Sequence, residues 1–246
     1  MDIEISQNFP FLKSNMIDVD KLREQFNNAK PYPHIVLDDF LNKDLALKVV
    51  DEFPEHDQWH PENWGKVNKG VQHKYAYNVR SLIHEAPPAV QESLLVLLSD
   101  DFVRFLEELT GIKKLYADDQ FHGGGIHQIP TGGKLGVHID FTRWTRNPQM
   151  FRRVNILLYL NKDWKEEYGG HLELWDGPKG KGKCRKKVLP ILNRAVIFGT
   201  GKDSWHGHPD PLNTPEGVYR NSLAAYYYSE EPGEDLRVHS TEFDYE

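Results

Sequence analysis

Lys134-Leu135-Gly136-Val137-His138-Ile139-Asp140, followed far downstream by Trp205-His206-Gly207-His208 and Arg220-Asn221-Ser222, is the part of the chain from which the fold can be read outward. Gly132-Gly133 makes a turn, Lys134 to Val137 can run as a strand, and the His138/Asp140 pair sits near its end. In an extended segment residues i and i+2 project to one side, so His138 and Asp140 can grip a single ion while Ile139 faces away. A third ligand from a distant strand would close such a site. A His-X-Asp tripeptide alone is weak in a chain with 12 histidines, and what strengthens it is the ordered series around it.

That series reads as short strands. Arg153 to Asn161 is an apolar run with β-branched and aromatic residues, the pattern of a buried strand, and Tyr159 gives its end a polar tip. Gly169 to Trp175 alternates as a half-buried strand would, and Arg194 to Phe198 reads as another core strand after the break at Pro190. His206 begins the next strand. Asn221 to Ser229 closes the series, with Arg220 at its start. The C-terminal half is therefore mainly β.

Two imidazoles and one carboxylate on one face of a metal leave the opposite coordination positions open, which suits a non-haem Fe(II) site that must bind a co-substrate and O₂ together. The order His138-X-Asp140, Leu158-Tyr159-Leu160-Asn161, Tyr168-Gly169-Gly170-His171-Leu172, Asn193 to Phe198, Trp205-His206-Gly207-His208-Pro209 and Arg220-X-Ser222-Leu223 resembles the prolyl 4-hydroxylase-like branch of the Fe(II)- and 2-oxoglutarate-dependent dioxygenases, most strongly over residues 116–230. Tyr32 to Leu41 also looks like the segment that precedes the core in many members. The resemblance implies a double-stranded β-helix (a cupin-like jelly roll) with Fe(II) held by His138, Asp140 and His206. It makes Arg220 the cation for the distal carboxylate of 2-oxoglutarate, with Ser222 and Tyr159 as further donors; O₂ is the second co-substrate and ascorbate an accessory reductant. An arginine fork suits that carboxylate because two parallel charge-assisted hydrogen bonds also fix its orientation. The implied reaction is decarboxylation of 2-oxoglutarate to succinate and CO₂, coupled to hydroxylation of an unactivated C–H bond. Halogenating relatives lack the carboxylate that Asp140 supplies.

Several neighbours have alternative roles. His208 competes with His206 for the metal, because both can face one way along a strand. Asn155 shares the face of Tyr159 and is a candidate to line the co-substrate channel. Of His122, His127 and Gln128, His127 is expected to point into the pocket, with a hydrogen-bonded structural histidine as the alternative. Phe141 to Arg153 carries Arg143, Trp144, Arg146, Arg152 and Arg153 beside the pocket mouth, either as a solvated charged loop or as a contact for an anionic substrate. Gln58 to Arg80, rich in Trp, Tyr, Asn and Lys, is a candidate lid.

The N-terminal half reads as support. Asn42 is a plausible N-cap for a helix through Phe53; Pro87-Pro88 can open a second helix through Leu98, and Ser99 can cap a third ending near Gly111. Leu94, Leu95, Leu97, Leu98, Phe102, Phe105, Leu106 and Leu109 give them apolar faces to pack outside the larger sheet. Residues 1–246 are expected to form one domain, with 1–115 as helical support and 116–230 as core. Lys179 to Lys187 reads as a solvated hairpin connection.

Composition narrows the class. With 39% hydrophobic residues the chain can bury a substantial core, and its net charge of −7 disfavours a general nucleic-acid-binding surface. The single cysteine, Cys184, excludes an internal disulfide framework, and Met1 to Met16 has neither the basic start nor the apolar run of a secretion signal. No apolar run is long enough to span a bilayer, and a cytoplasmic location is expected. The substrate expected is a small or amino-acid-type molecule, an anionic one if the arginines contact it rather than solvent. A peptidyl-proline substrate and a non-catalytic metal-binding scaffold are the alternatives.

Overall fold

The computed structural model describes residues 18–60, 65–66, 71–72, 74–78, 81–144, 147–233 and 239–244. Its helices are α1 (Val19–Asn28), α2 (Lys43–Glu52), α3 (Leu82–Glu85), α4 (Pro88–Leu98) and α5 (Asp100–Thr110). The caps read from sequence hold α2, α4 and α5. The Asn42 side chain accepts from the Asp44 N–H at 2.9 Å, Pro88 opens α4, and Ser99 accepts from the Phe102 N–H at 3.2 Å. Gly111, at φ 76°, closes α5 in the left-handed conformation that a residue without Cβ adopts most easily. Helix α1 was not expected. Its signals are local all the same: the Asp18 carboxylate accepts from the Lys21 N–H at 3.0 Å, and Leu22 and Phe26 face the core at helical spacing.

The strands in chain order are β1 (His34–Leu37), β2 (Gly65–Lys66), β3 (Val71–Gln72), β4 (Tyr75–Tyr77), β5 (Tyr116–Ala117), β6 (Gly125–Ile129), β7 (Lys134–Ile139), β8 (Arg143–Trp144), β9 (Asn147–Tyr159), β10 (Leu172–Trp175), β11 (Cys184–Val188), β12 (Arg194–Gly199), β13 (Trp205–His208), β14 (Arg220–Ser229) and β15 (Glu242–Phe243). Among the described residues they form two antiparallel sheets. The larger runs β1-β12-β9-β14-β6-β4-β2, with β5 on β14 and β8 on β9; the smaller runs β11-β10-β13-β7-β15, with β3 on β7. From β6 onward the chain alternates between them, with β6, β9, β12 and β14 in the large sheet and β7, β10 and β13 in the small one. This winding is a double-stranded β-helix, the mainly β core with flanking helices expected from the strand series.

Alternation along the large sheet sorts its side chains. Val154, Ile156, Leu158, Ala195, Ile197, Leu223, Ala225 and Tyr227 share one core with Leu94, Leu97, Phe102, Phe105 and Leu106 of α4 and α5. Tyr159, Val196 and Phe198 point the other way and pack with Leu172 and Leu174 of the small sheet. Strands buried on both faces read as near-continuous apolar runs, which is why β9 and β12 stood out in sequence. The Tyr227 hydroxyl donates to the Leu97 carbonyl at 2.7 Å, joining the sheet to the end of α4. Asn193 holds the segment after β1 by accepting from the Leu41 N–H and donating to its carbonyl, both at 2.8 Å.

Three segments differ from expectation. Phe141 to Arg153 is not a solvated loop: it is the β8–β9 hairpin, whose second strand starts at Asn147 and runs without interruption into the expected β9 core. Tyr75–Tyr77 of the candidate lid pairs with β6 and extends the large sheet, while residues 61–64, 67–70, 73 and 79–80 of that stretch lie outside the described residues. The basic connection after Lys179 ends early, because Cys184–Val188 pairs with β10. No helix among the described residues is long and apolar enough to cross a membrane.

Candidate metal and co-substrate site

His138 is the penultimate residue of β7, and Asp140 follows just past its end. The antiparallel register places His206 of β13 opposite His138, with ring centroids 4.3 Å apart. Gly207 makes this approach possible. A Cβ there would meet the Gly136 carbonyl oxygen at 2.7 Å and that of Leu135 at 2.8 Å, so any other residue would push β13 away from β7. The ligand atoms that His138, Asp140 and His206 can offer all lie within 4.8 Å of one another.

Each imidazole is oriented by its own strand. The Gly136 carbonyl accepts from His138 Nδ1 at 2.8 Å, and the Ser204 carbonyl accepts from His206 Nδ1 at 2.8 Å. In that tautomer both Nε2 atoms carry a lone pair aimed at the carboxylate: His138 Nε2 is 3.7 Å from Asp140 Oδ1, and His206 Nε2 is 3.5 Å from Asp140 Oδ2. Burial, with His138 alongside, pushes the His206 imidazole down to about 4, which favours the neutral form a metal needs. This donor set fits a divalent metal with open positions on one face.

Behind Asp140 lies a buried cation. The Arg152 guanidinium is 3.1 Å from Asp140 Oδ2, donates through Nε to Asn155 Oδ1 at 2.7 Å, and lies 3.4 Å from the centre of the Tyr226 ring. Asn155 Nδ2 donates to Asp140 Oδ2 at 2.7 Å. Burial alone would push the Asp140 carboxyl up; Arg152, His206 and His138 outweigh it and hold the group well below the usual carboxylate range. Asn155 therefore shares the inward face with Tyr159, as its spacing indicated, and its amide is committed to Asp140 and Arg152. That role was not foreseen, because residues 140 and 155 meet only through the hairpin.

A second group lines the same cavity as the triad. Arg220 is 4% exposed; its Nε donates to the Gly170 carbonyl at 2.8 Å and its Nη2 to the Tyr159 hydroxyl at 3.3 Å. Gly170 is needed here, since a Cβ would collide with Leu212 and press on the Arg220 side chain. Ser222 pairs with Tyr159 on one side and His127 on the other, and His127 with Ala76, so Tyr159, Ser222 and His127 form one inward row. The guanidinium's remaining N–H groups have no protein acceptor among the described residues, which suits it to an anionic ligand. His127, His138, Asp140, His206, His208, Arg220, Ser222 and Lys74 all line one cavity of about 210 Å³. Partial burial and the Arg220 guanidinium push the Lys74 ammonium down to about 8.

Residues 124–228 match the family model described as the 2OG-Fe(II) oxygenase superfamily. Over that span the chain resembles the 2OG-Fe(II) oxygenases. Solved structures with a similar fold agree on the architecture. A Trichoplax adhaerens prolyl hydroxylase in complex with a hypoxia-inducible-factor peptide fragment aligns with TM-score 0.60 at 17% identity, covering 86% of this chain and 89% of that one. A Pseudomonas putida prolyl-4-hydroxylase aligns with TM-score 0.54 at 18% identity, covering 85% and 97%. HygX from Streptomyces hygroscopicus with nickel and 2-oxoglutarate bound aligns with TM-score 0.51 at 13% identity, covering 86% and 92%. The jelly roll is thus of the prolyl-hydroxylase kind, and the triad and the matched family model both fit Fe(II) with 2-oxoglutarate as co-substrate.

The arginines expected at the mouth of the oxygenase pocket are mostly engaged elsewhere. Arg143 donates to the Pro148 carbonyl at 2.8 Å and stacks 3.6 Å from the Phe151 ring centre, and Arg153 donates to Ser229 and to the Glu231 carbonyl. Arg146 lies outside the described residues. Of the other candidates, Gln128 accepts from the His56 backbone N–H at 3.0 Å, and the His122 ring packs edge-on to Phe141.

Proposed function

We propose that the oxygenase domain hydroxylates an unactivated C–H bond of a small or amino-acid-type substrate, with His138, Asp140 and His206 as iron ligands and Arg220, Tyr159 and Ser222 as the holders of 2-oxoglutarate. The observation that carries this reading is that a metal-competent triad and a buried arginine line one cavity. Bound Fe(II) with 2-oxoglutarate and O₂ supplies the oxidising chemistry, coupled to decarboxylation.

The protein's own part is orientation, charge and exclusion of water. Gly136 and Ser204 fix the two imidazoles, and Arg152 with Asn155 fixes the carboxylate, so the triad is set before any ion arrives. Arg220 offers its free N–H groups to the distal carboxylate of the co-substrate, and the Tyr159 hydroxyl, itself accepting from Arg220, can turn its proton toward the same anion. Phe141, Leu157, Leu172, Phe198, Tyr226 and Phe243 make an apolar wall that keeps the site dry. Since about 210 Å³ must also take the co-substrate, the room left suits a compact molecule. A single side chain presented by a peptide is of similar size, so a peptidyl-proline substrate is the second reading.

The test is anaerobic addition of Fe(II) and then 2-oxoglutarate, followed by the visible charge-transfer band of the chelate, with His206→Ala as control. A band present in the wild type and lost in the control supports the assignment, and succinate release then screens free amino acids against proline-containing peptides. Absence of the band from iron-loaded wild-type protein would overturn it.

A further inference from the structure

Two histidines of the cavity take no part in the triad. His208 is 3% exposed, and neither of its ring nitrogens has a hydrogen-bond partner among the described residues; His127 is 4% exposed, with Nε2 likewise unpartnered. Buried polar atoms are nearly always satisfied, so unpartnered imidazole nitrogens lining a cavity point to a ligand that completes them.

Position decides what that ligand can be. His208 is two residues beyond His206 on β13 and lines the same cavity. The register shifts between them, since His206 pairs with His138 while His208 pairs with Leu135, and the cluster of possible metal-ligand atoms is formed by His138, Asp140 and His206. Across the gap between the sheets, roughly 10 Å, the large sheet presents Ser222 and His127 as a directly opposed pair, with Arg220 two residues from Ser222. Arg220 and Lys74 line the same cavity as His208. When the keto-acid end of 2-oxoglutarate sits at the triad, its five-carbon chain carries the far carboxylate toward these groups.

We propose that His208 is a co-substrate-binding residue, whose ring N–H donates to the distal carboxylate of 2-oxoglutarate from the small sheet while Arg220 holds it from the large one. The inference rests on the functional reading above. It also answers the competition between the two histidines of Trp205-His206-Gly207-His208: one serves the metal, the other the co-substrate.

The experiment compares His208→Leu, His208→Asn and His208→Gln with wild type in anaerobic titrations, first of Fe(II) and then of 2-oxoglutarate into the iron-loaded protein. Loss of one hydrogen bond to a charged group should weaken 2-oxoglutarate binding in His208→Leu by about 10- to 100-fold with Fe(II) affinity unchanged. One amide variant should retain most of the affinity, Asn if Nδ1 is the donor and Gln if Nε2 is. Wild-type 2-oxoglutarate affinity in His208→Leu overturns the proposal, and so does weakened Fe(II) binding, which would make His208 a metal ligand. If the leucine variant does not fold, the amide pair carries the test, and equal affinity in both overturns the proposal. Failure of wild-type protein to form the chelate removes the functional reading as well, so the two failures are distinguishable.

Discussion

Replacing Arg152 by methionine removes a buried cation while keeping most of its stem, and the consequence depends on whether a metal is bound. Without metal, Asp140 has Arg152 as its only fixed positive neighbour within salt-bridge distance among the described residues, at 3.1 Å, with the Arg152 side chain 1% and the Asp140 side chain 10% exposed. Breaking a buried pair from one side costs about 3–5 kcal/mol. The lower end, about 3 kcal/mol, applies here because Asn155 still donates to Asp140 at 2.7 Å. For a chain of this size that is a fall in Tm of about 6–12 °C. Bound Fe(II) supplies a dication to the same carboxylate, so the metal should restore much of the loss. The expected result of anaerobic thermal unfolding, with and without Fe(II), is therefore a low Tm for the metal-free variant and a larger metal-induced rise than in wild type. Equal Tm values for the two metal-free proteins, or equal rises on adding Fe(II), would refute the reasoning that Arg152 is the counter-charge of the empty triad.

Two further substitutions test the frame around the site. Gly207→Ala places a Cβ against the carbonyls of Gly136 and Leu135, so it should cost about 1–3 kcal/mol by overpacking and weaken Fe(II) binding by about tenfold or more, read by thermal unfolding and metal titration. Tyr227→Phe strips the donor from the Leu97 carbonyl near the end of α4, on the sheet face away from the cavity. A loss of about 1–2 kcal/mol in denaturant unfolding is expected, with Fe(II) and 2-oxoglutarate binding unchanged.

What was legible in the sequence was set by interactions between near neighbours. The caps at Asn42, Ser99 and Gly111 act within three or four residues, and the i, i+2 spacing of His138 and Asp140 needs only an extended backbone. The apolar runs of β9 and β12 were visible because both their faces are buried. The β8–β9 hairpin was missed because Asn147 to Arg153 is polar and arginine-rich. Arg152 and Arg153 are satisfied by the Glu231 carbonyl, the Tyr226 ring and Asp140, partners that local pattern does not reveal.

The sequence by itself determined the mainly β class, the ordered strand series and the set of residues able to hold a metal and a carboxylate, because residue type and periodicity follow from local geometry. Only the tertiary structure decided how those residues divide the work. Period two puts His206 and His208 on one face alike; pairing with β7 sets one opposite His138 and the other opposite Leu135. Spacing put Asn155 in the co-substrate channel, and folding the hairpin set its amide against Asp140. Strand register and inter-sheet depth arise from contacts between residues far apart in the chain, and no local pattern encodes them.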